Sequence, residues 1–188
     1  MNNKLVFLFP GIKYTCDMPL LYYPRLYFKS LGYTVIDVSY GSAFDTVEFH
    51  NQDITEEIYT AQASCIDQIR SCHPEEADQV FFISKSLGTA VAGWAEKELG
   101  LSVFHYYLTP IVQTFPYMTR TQRIALVVSG TKDPVIDFRL VRNQCHKENL
   151  PYLQIDDVGH RLEGPDVQKN LDIVKTVVQR MAQITKQR

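Results

Sequence analysis

Short apolar runs, rich in β-branched and aromatic residues, alternate with longer amphipathic segments along the whole chain. Most of the runs are nearly continuous in hydrophobicity, which is typical of parallel strands covered on both faces. They predict six strands, at Lys4–Phe9, Tyr33–Tyr40, Gln79–Ser84, Ser102–Leu108, Arg123–Ser129 and Pro151–Ile155.

The segments between these runs predict helices, because their apolar residues recur at spacings of three and four. The helices are expected at Pro19–Leu31, Asp53–Cys72, Ser86–Leu99 and Ile136–Glu148, and from Gly164-Pro165 onward. The second of them opens on a sequence that resembles a capping box. The connection from Leu108 to Arg123 contains two prolines and no helical period, so it is predicted to be irregular or a very short helix.

Strands that alternate with helices predict βαβ units with right-handed crossovers. The chain of 188 residues is therefore expected to form one α/β domain over residues 1–188, a three-layer αβα sandwich around a mostly parallel sheet. Loops that follow the carboxyl ends of such strands are where ligands bind.

The charge and hydropathy of the chain exclude some classes of partner. The formal net charge is −2, without the basic excess typical of a nucleic-acid-binding protein. No apolar run approaches the roughly 18 residues of a membrane span, and the run at Leu5–Phe9 is too short for a secretion signal. We therefore predict no nucleic-acid or membrane partner; the oligomeric state cannot be read from the sequence.

The four cysteines favour free thiols. Cys65 and Cys72 lie two helical turns apart, about 10 Å along the axis, which is too far for a disulfide. Cys72-His73 and Cys145-His146 lack the paired spacing of a structural zinc site. We predict no metal and a cytoplasmic location.

One serine stands between small residues at the junction of the third strand and the next helix. The segment reads Ser84-Lys85-Ser86-Leu87-Gly88. It resembles the nucleophile elbow of the α/β-hydrolase superfamily, G-x-S-x-G, with serine in place of the first glycine. Ser86 matches the nucleophile. The alternative is a serine that only caps the helix.

Two later loops carry the other residues of the resemblance, in the order Ser, acid, His. The fifth strand is followed by Thr131-Lys132-Asp133-Pro134, where Asp133 matches the acid, and the sixth by a loop in which His160 matches the histidine. Each has an ordinary alternative: a simple turn, or a surface histidine. Asp156 or Asp157 remains open as the acid.

The resemblance implies a small, lidless, carboxylesterase-like serine hydrolase with strand order 2-1-3-4-5-6. His160 would act as general base and Asp133 would orient it, while Ser86 forms an acyl-enzyme with a small carboxylic ester. No cofactor is implied. Thioesterase, peptidase and acyltransferase activities remain open, as does a non-catalytic binding protein on the same scaffold. A nucleotide-binding protein is disfavoured, since the first turn lacks the glycine motifs.

The resemblance also implies an oxyanion hole and a cleft. The backbone N–H of Leu87 is one expected donor, and that of Ile12 the other, with Lys13 as its alternative. The connection between the fourth and fifth strands has no large insertion, which implies an open cleft for small acyl groups. Substrate contacts are expected from Lys13, Tyr14, Phe44, Pro110 and Val135. Val47 and Phe49 are further candidates, and His50 lies in the same stretch.

Four cations fall near the expected site: Lys13, Lys85, Lys132 and Arg161. Their summed field would favour an anionic or polar substrate. Solvated surface positions are the ordinary alternative for lysine, and the one we expect. Lys85 departs from the family pattern, in which a histidine often precedes the nucleophile.

Overall fold

The computed structural model describes residues 3–41, 44 and 54–187. Within them, six strands form one sheet in which every neighbouring pair is parallel, in the order β2-β1-β3-β4-β5-β6. The strands are β1 (Lys4–Phe9), β2 (Thr34–Asp37), β3 (Gln79–Lys85), β4 (Phe104–Leu108), β5 (Arg123–Gly130) and β6 (Tyr152–Ile155). The predicted number and order are confirmed, and β2 is shorter than the apolar run at Tyr33–Tyr40.

Helices follow the strands as predicted. They are α1 (Pro19–Ser30), α2 (Thr55–Arg70), α3 (Leu87–Leu99), α4 (Phe138–Glu148) and α5 (Val167–Thr185), with short 3₁₀ helices at Pro74–Glu76 and Val112–Tyr117. The predicted capping residue Asp53 lies outside the described residues.

The start of the last helix differs from the prediction. Gly164 and Pro165 precede α5, and Asp166 is its N-cap residue, whose carboxylate accepts hydrogen bonds from the N–H groups of Gln168 and Lys169. The carboxylate satisfies donors that the first helical turn leaves free, which explains why the helix begins after Asp166.

The helices cover both faces of the sheet. Helices α2, α3 and α4 pack on one face, in a core that includes Cys65, Val91 and Val141. Helices α1 and α5 pack on the other, with Phe28 and Met181 fully buried. The predicted three-layer αβα arrangement is confirmed, and the four central strands β1, β3, β4 and β5 are buried along nearly their whole length because both of their sides face helices.

The sheet changes winding direction between β1 and β3, whose carboxyl ends lie next to each other. The connection from β4 to β5 contributes the 3₁₀ helix Val112–Tyr117, so the expected irregular segment is a very short helix. It packs on α3: Thr114 Oγ1 lies 2.5 Å from Thr89 Oγ1, and a Cβ on Gly93 would lie 2.5 Å from Tyr117 Cβ. Glycine therefore allows this segment to approach the helix that follows Ser86.

Two sequence-based expectations concern the whole chain. Among the described residues, no helix combines the length and the apolar character needed to cross a membrane. The four cysteines are free, as predicted, and Cys16, Cys65 and Cys145 are buried.

Candidate active site

Ser86 lies at the tight turn between β3 and α3, with φ 56° and ψ −124°. A positive φ is unfavourable for a residue with a Cβ, so this backbone is strained. The turn is fixed by the Ser86 N–H, which donates to the carbonyl of Leu108 at 3.0 Å. The serine is not the side-chain cap of α3, since it makes no capping hydrogen bond there.

Small residues on each side make this turn possible. A Cβ on Gly88 would lie 2.5 Å from the carbonyl oxygens of both Phe9 and Pro10, a distance that real side chains do not reach. Ser84 is fully buried, and its hydroxyl donates to the carbonyl of Tyr106 at 3.2 Å. Serine in place of the usual first glycine is therefore accommodated by a backbone acceptor on β4.

The two later loops bring Asp133 and His160 to Ser86. The Ser86 hydroxyl lies 2.7 Å from His160 Nε2, and His160 Nδ1 lies 2.7 Å from Asp133 Oδ2. The Asp133 side chain is fully buried, while 15% of the His160 side chain is exposed. The histidine is thus held between a buried carboxylate and a serine, with one edge open to the surface.

Asp133 is oriented by its own loop. Its Oδ1 accepts hydrogen bonds from the N–H groups of Val135 at 2.8 Å and Ile136 at 3.3 Å, which leaves Oδ2 for His160. Of the three candidate acids, Asp133 is the one hydrogen-bonded to His160; Asp156 accepts a hydrogen bond from the side chain of Gln154, and the Asp157 N–H donates to Thr131.

Burial lowers the pKa of His160 below its ordinary 6.5, because a charged imidazolium would be poorly solvated there. The hydrogen bond to Asp133 acts in the opposite direction, and the nearby charge of Lys85 lowers the pKa further. The net effect favours the neutral imidazole near pH 7, the form that accepts a proton from a hydroxyl.

The loop after β1 lies against the serine. A Cβ on Gly11 would lie 3.0 Å from Ser86 Cβ. The Lys13 N–H donates to the carbonyl of Phe44 at 3.4 Å. The N–H groups of Ile12 and Leu87 have no acceptor among the described residues. Of the two candidate donors in this loop, Ile12 is therefore the one left free.

The five predicted substrate contacts differ in exposure. Lys13 is exposed and 54% of Val135 is exposed, whereas Pro110 is buried. Tyr14 is buried, and its hydroxyl accepts a hydrogen bond from the Leu20 N–H at 3.0 Å. Their contact with a substrate stays a prediction.

Phe44 is also buried, and its ring packs against Tyr40 with 5.3 Å between the centroids. Phe44 and Gly11 line a cavity of about 270 Å³ at the carboxyl ends of β1 and β2. Val47, Phe49 and His50 lie outside the described residues.

The interpretation of the four cations as solvated surface residues is wrong for one of them. Lys13, Lys132 and Arg161 are exposed, but Lys85 is 1% exposed. The signal for this was its position: Lys85 continues the apolar run of β3, in which every residue after Gln79 is buried.

Outside this site, the donor atoms of His73, Glu75 and Glu76 lie within 4.8 Å of one another. All three residues are exposed, and exposed acidic groups often gather without binding an ion. This cluster therefore assigns no metal to the chain.

Comparison of the sequence with protein-family profiles and with curated proteins gives no match. Solved structures do match. A protein from Xanthomonas campestris pv. campestris, described as belonging to the alpha/beta hydrolase superfamily, superposes with a TM-score of 0.70 at 16% identity, over 99% of both chains. An alpha-beta serine hydrolase homologue from Coxiella burnetii gives 0.66 at 12% identity, over 95% of this chain and 85% of that one.

A further structure from Xanthomonas campestris, an a/b serine hydrolase without lid, gives a TM-score of 0.61 at 15% identity, over 97% of this chain and 82% of that one. Identities this low establish a shared fold over nearly the whole chain and nothing about chemistry.

Proposed function

We propose that this chain, which has the α/β-hydrolase fold, is a serine hydrolase that cleaves a small carboxylic ester. The observation that carries the proposal is the continuous hydrogen-bonded series Ser86–His160–Asp133, with 2.7 Å at each step, on a strained turn after a strand. A nucleophile, a base within hydrogen-bond reach and a third group that orients the base form the arrangement of acyl-transfer enzymes.

In the proposed reaction, Ser86 Oγ attacks the ester carbonyl while its proton passes to His160 Nε2. Asp133 holds the Nδ1 proton and stabilises the imidazolium that forms. The imidazolium then gives its proton to the departing alcohol, and an acyl-enzyme remains on Ser86. A water molecule, deprotonated by His160, attacks the acyl group, and the carboxylic acid leaves as the proton returns to Ser86.

The tetrahedral oxyanion would be bound by the N–H groups of Leu87 and Ile12. Leu87 is the first residue of α3, so its N–H points out of the helix at the positive end of the helix dipole. Ile12 belongs to the loop that packs against Ser86, and the neighbouring Lys13 N–H is already bonded to Phe44. Two fixed donors of this kind stabilise charge where it develops.

A small acyl group is the substrate class that the cleft supports best. The connection from β4 to β5 is short, and its one helical element, the 3₁₀ helix Val112–Tyr117, packs on α3. Rates on p-nitrophenyl esters should therefore be highest for acetate or butyrate and fall as the acyl chain lengthens. A preference for dodecanoate would contradict this part of the proposal.

Covalent labelling tests the nucleophile. A fluorophosphonate probe should label the wild-type protein, and Ser86→Ala should abolish the labelling, because the phosphonate bonds to the activated hydroxyl. Ser129→Ala is the matched control: Ser129 is buried on β5, hydrogen-bonded to Tyr152, and outside the proposed site. An unlabelled wild type, or full labelling of Ser86→Ala, would refute the proposal.

Thioester, peptide and acyl-transfer substrates use the same three residues. Assays with acetyl-thiocholine, an acyl-p-nitroanilide and an ester with added alcohol acceptor separate these activities. A protein that is not labelled but still binds a metabolite would instead support a non-catalytic binding function.

A further inference from the structure

Lys85 is buried without a carboxylate partner. It is 1% exposed, and among the described residues no acidic group lies within 4.0 Å of its ammonium. A buried charge of this kind costs free energy, and an apolar side chain would fill the same space without that cost. The contacts that the ammonium makes must therefore offset this cost.

The ammonium joins two segments of the site. Lys85 Nζ donates to the carbonyl of His160 at 2.8 Å and to Thr109 Oγ1 at 2.5 Å. Thr109 follows β4 with φ 46°, an unfavourable backbone for a β-branched residue. Lys85 also lies 4.9 Å from the ring centroid of Tyr14, in the loop after β1.

We propose that Lys85 is a positioning residue for the proposed hydrolase site: its buried side-chain amino group links the His160 backbone to Thr109 and so holds the imidazole between Ser86 and Asp133. This inference rests on the proposed function. Lys85 is the residue directly before the nucleophile, so one strand end fixes both the serine and the loop that carries its base. A tie at this point limits displacement of the imidazole, to which proton transfer is sensitive.

Lys85 also acts on the charge of the imidazole. It lowers the pKa of His160, since a second positive charge beside the ammonium is unfavourable. The other charged groups that act on Lys85 are Asp133, Glu163 and Arg161, and burial lowers its own pKa from 10.5 to about 7. Below pH 7, where His160 titrates, Lys85 is therefore charged and opposes protonation of the base.

Lys85→Met tests the proposal, because methionine has a similar length but no donor and no charge. Two readouts are needed. With p-nitrophenyl acetate, kcat should fall on the order of 10- to 100-fold while KM stays nearly constant, as expected when the base is misplaced by a fraction of an ångström to an ångström. In an NMR titration of histidine Cε1 resonances, assigned with His160→Gln, the pKa of His160 should rise.

Lys132→Met is the matched control. Lys132 is the lysine next to Asp133 in sequence, but it is exposed, so solvent screens its charge. It should change neither kcat nor the pKa of His160. The proposal would be overturned if Lys85→Met had the same kcat and the same His160 pKa as Lys132→Met. It would also be overturned if Lys85→Met raised KM without changing kcat, because that result would indicate a role in substrate binding.

A pair of milder variants covers the case in which Lys85→Met does not fold. Thr109→Val removes the acceptor but keeps the shape, and it should lower kcat several-fold. Thr109→Ser keeps the hydroxyl and should therefore keep kcat near that of the wild type. Equal activities of Thr109→Val and Thr109→Ser would count against the link between Lys85 and Thr109.

If the wild type neither hydrolyses p-nitrophenyl acetate nor is labelled by the fluorophosphonate probe, the proposed function fails. The NMR titration still reports whether Lys85 acts on His160.

Discussion

Among the described residues, two histidines pair with a buried carboxylate, whereas a third pair, His73–Glu75, is exposed; the two buried pairs differ in position and surroundings. His160 and Asp133 are 2.7 Å apart in loops at the carboxyl edge of the sheet, next to Ser86. His105 and Glu96 are 3.0 Å apart, with His105 inside β4 and Glu96 on α3. The first pair has an exposed edge, whereas the His105 side chain is completely buried.

The second pair is embedded in a structural network. Glu96 also accepts hydrogen bonds from the Val103 N–H at 3.2 Å and from the Gln122 side chain at 2.8 Å, and the His105 ring lies 4.8 Å from that of Tyr107. Burial alone would raise the pKa of Glu96, but the hydrogen bond with His105, and then those from Val103 and Gln122, hold it below its ordinary value. The pair thus joins α3, β4 and the start of β5.

The difference shows that an imidazole paired with a carboxylate is not by itself a candidate active site. The His105 side chain is completely buried, and its Nδ1 has no hydrogen-bond partner among the described residues. His160 has a serine at hydrogen-bond distance and lies where parallel strands end. Position in the fold separates the two pairs.

The largest expected effect comes from replacing each histidine in turn. His160→Gln should lower kcat for p-nitrophenyl acetate on the order of 10⁶-fold, because no base remains for the serine proton. His105→Gln should leave kcat nearly unchanged. A comparable loss of kcat in both variants, with both proteins folded by circular dichroism, would break the comparison.

The reverse effect is expected for stability. Glu96→Ala should lower the free energy of unfolding by about 2–3 kcal/mol, because it leaves His105 and the Val103 N–H buried without their acceptor. Glu98→Ala, on the exposed face of the same helix, is the control. Urea unfolding measures both; equal stabilities would mean that the network contributes nothing.

The smallest effect concerns Lys85, the lysine beside the His160–Asp133 pair. As the pH rises from 7 to 9, folded Lys85 loses its proton while unfolded Lys85 keeps it, so the unfolded state binds more protons and stability rises with pH. Relative to Lys85→Met, the wild type should gain at most about 1.4 kcal/mol per pH unit over this window. Burial raises the pKa of the Cys16, Cys65 and Cys145 thiols to about 12, and all three are present in both proteins. Their contribution to the pH dependence of stability therefore cancels in the comparison. A pH-independent difference would show that Lys85 stays charged.

Much of the fold was predictable from local patterns. Six strands were found at their predicted places, because apolar runs between turn residues leave few other arrangements. Errors occurred at boundaries: α5 begins after Asp166, a capping effect that the Gly164-Pro165 signal obscured. The motif and the order of the residues predict Ser86, Asp133 and His160 as site residues, and the structure brings the three side chains together.

Other features depended on distant contacts. The sequence left the acid open between Asp133 and two aspartates in the His160 loop, and it left the second oxyanion donor open between Ile12 and Lys13. Both depend on where loops after different strands meet, which no local pattern encodes. Lys85 was misinterpreted for the same reason: lysine is usually solvated, and only the loops that close over this one bury it.

The sequence by itself determined the alternation of strands and helices, the small residues around Ser86 and the order of the three candidate residues. These follow from hydrophobic periodicity and from steric limits on neighbouring residues. The tertiary structure alone decided which carboxylate faces His160, and which histidine–carboxylate pair lies beside Ser86. It also decided that Lys85, the residue before Ser86, is buried. Distances across a sheet edge are set by the packing of segments far apart in the chain, and burial follows from that packing.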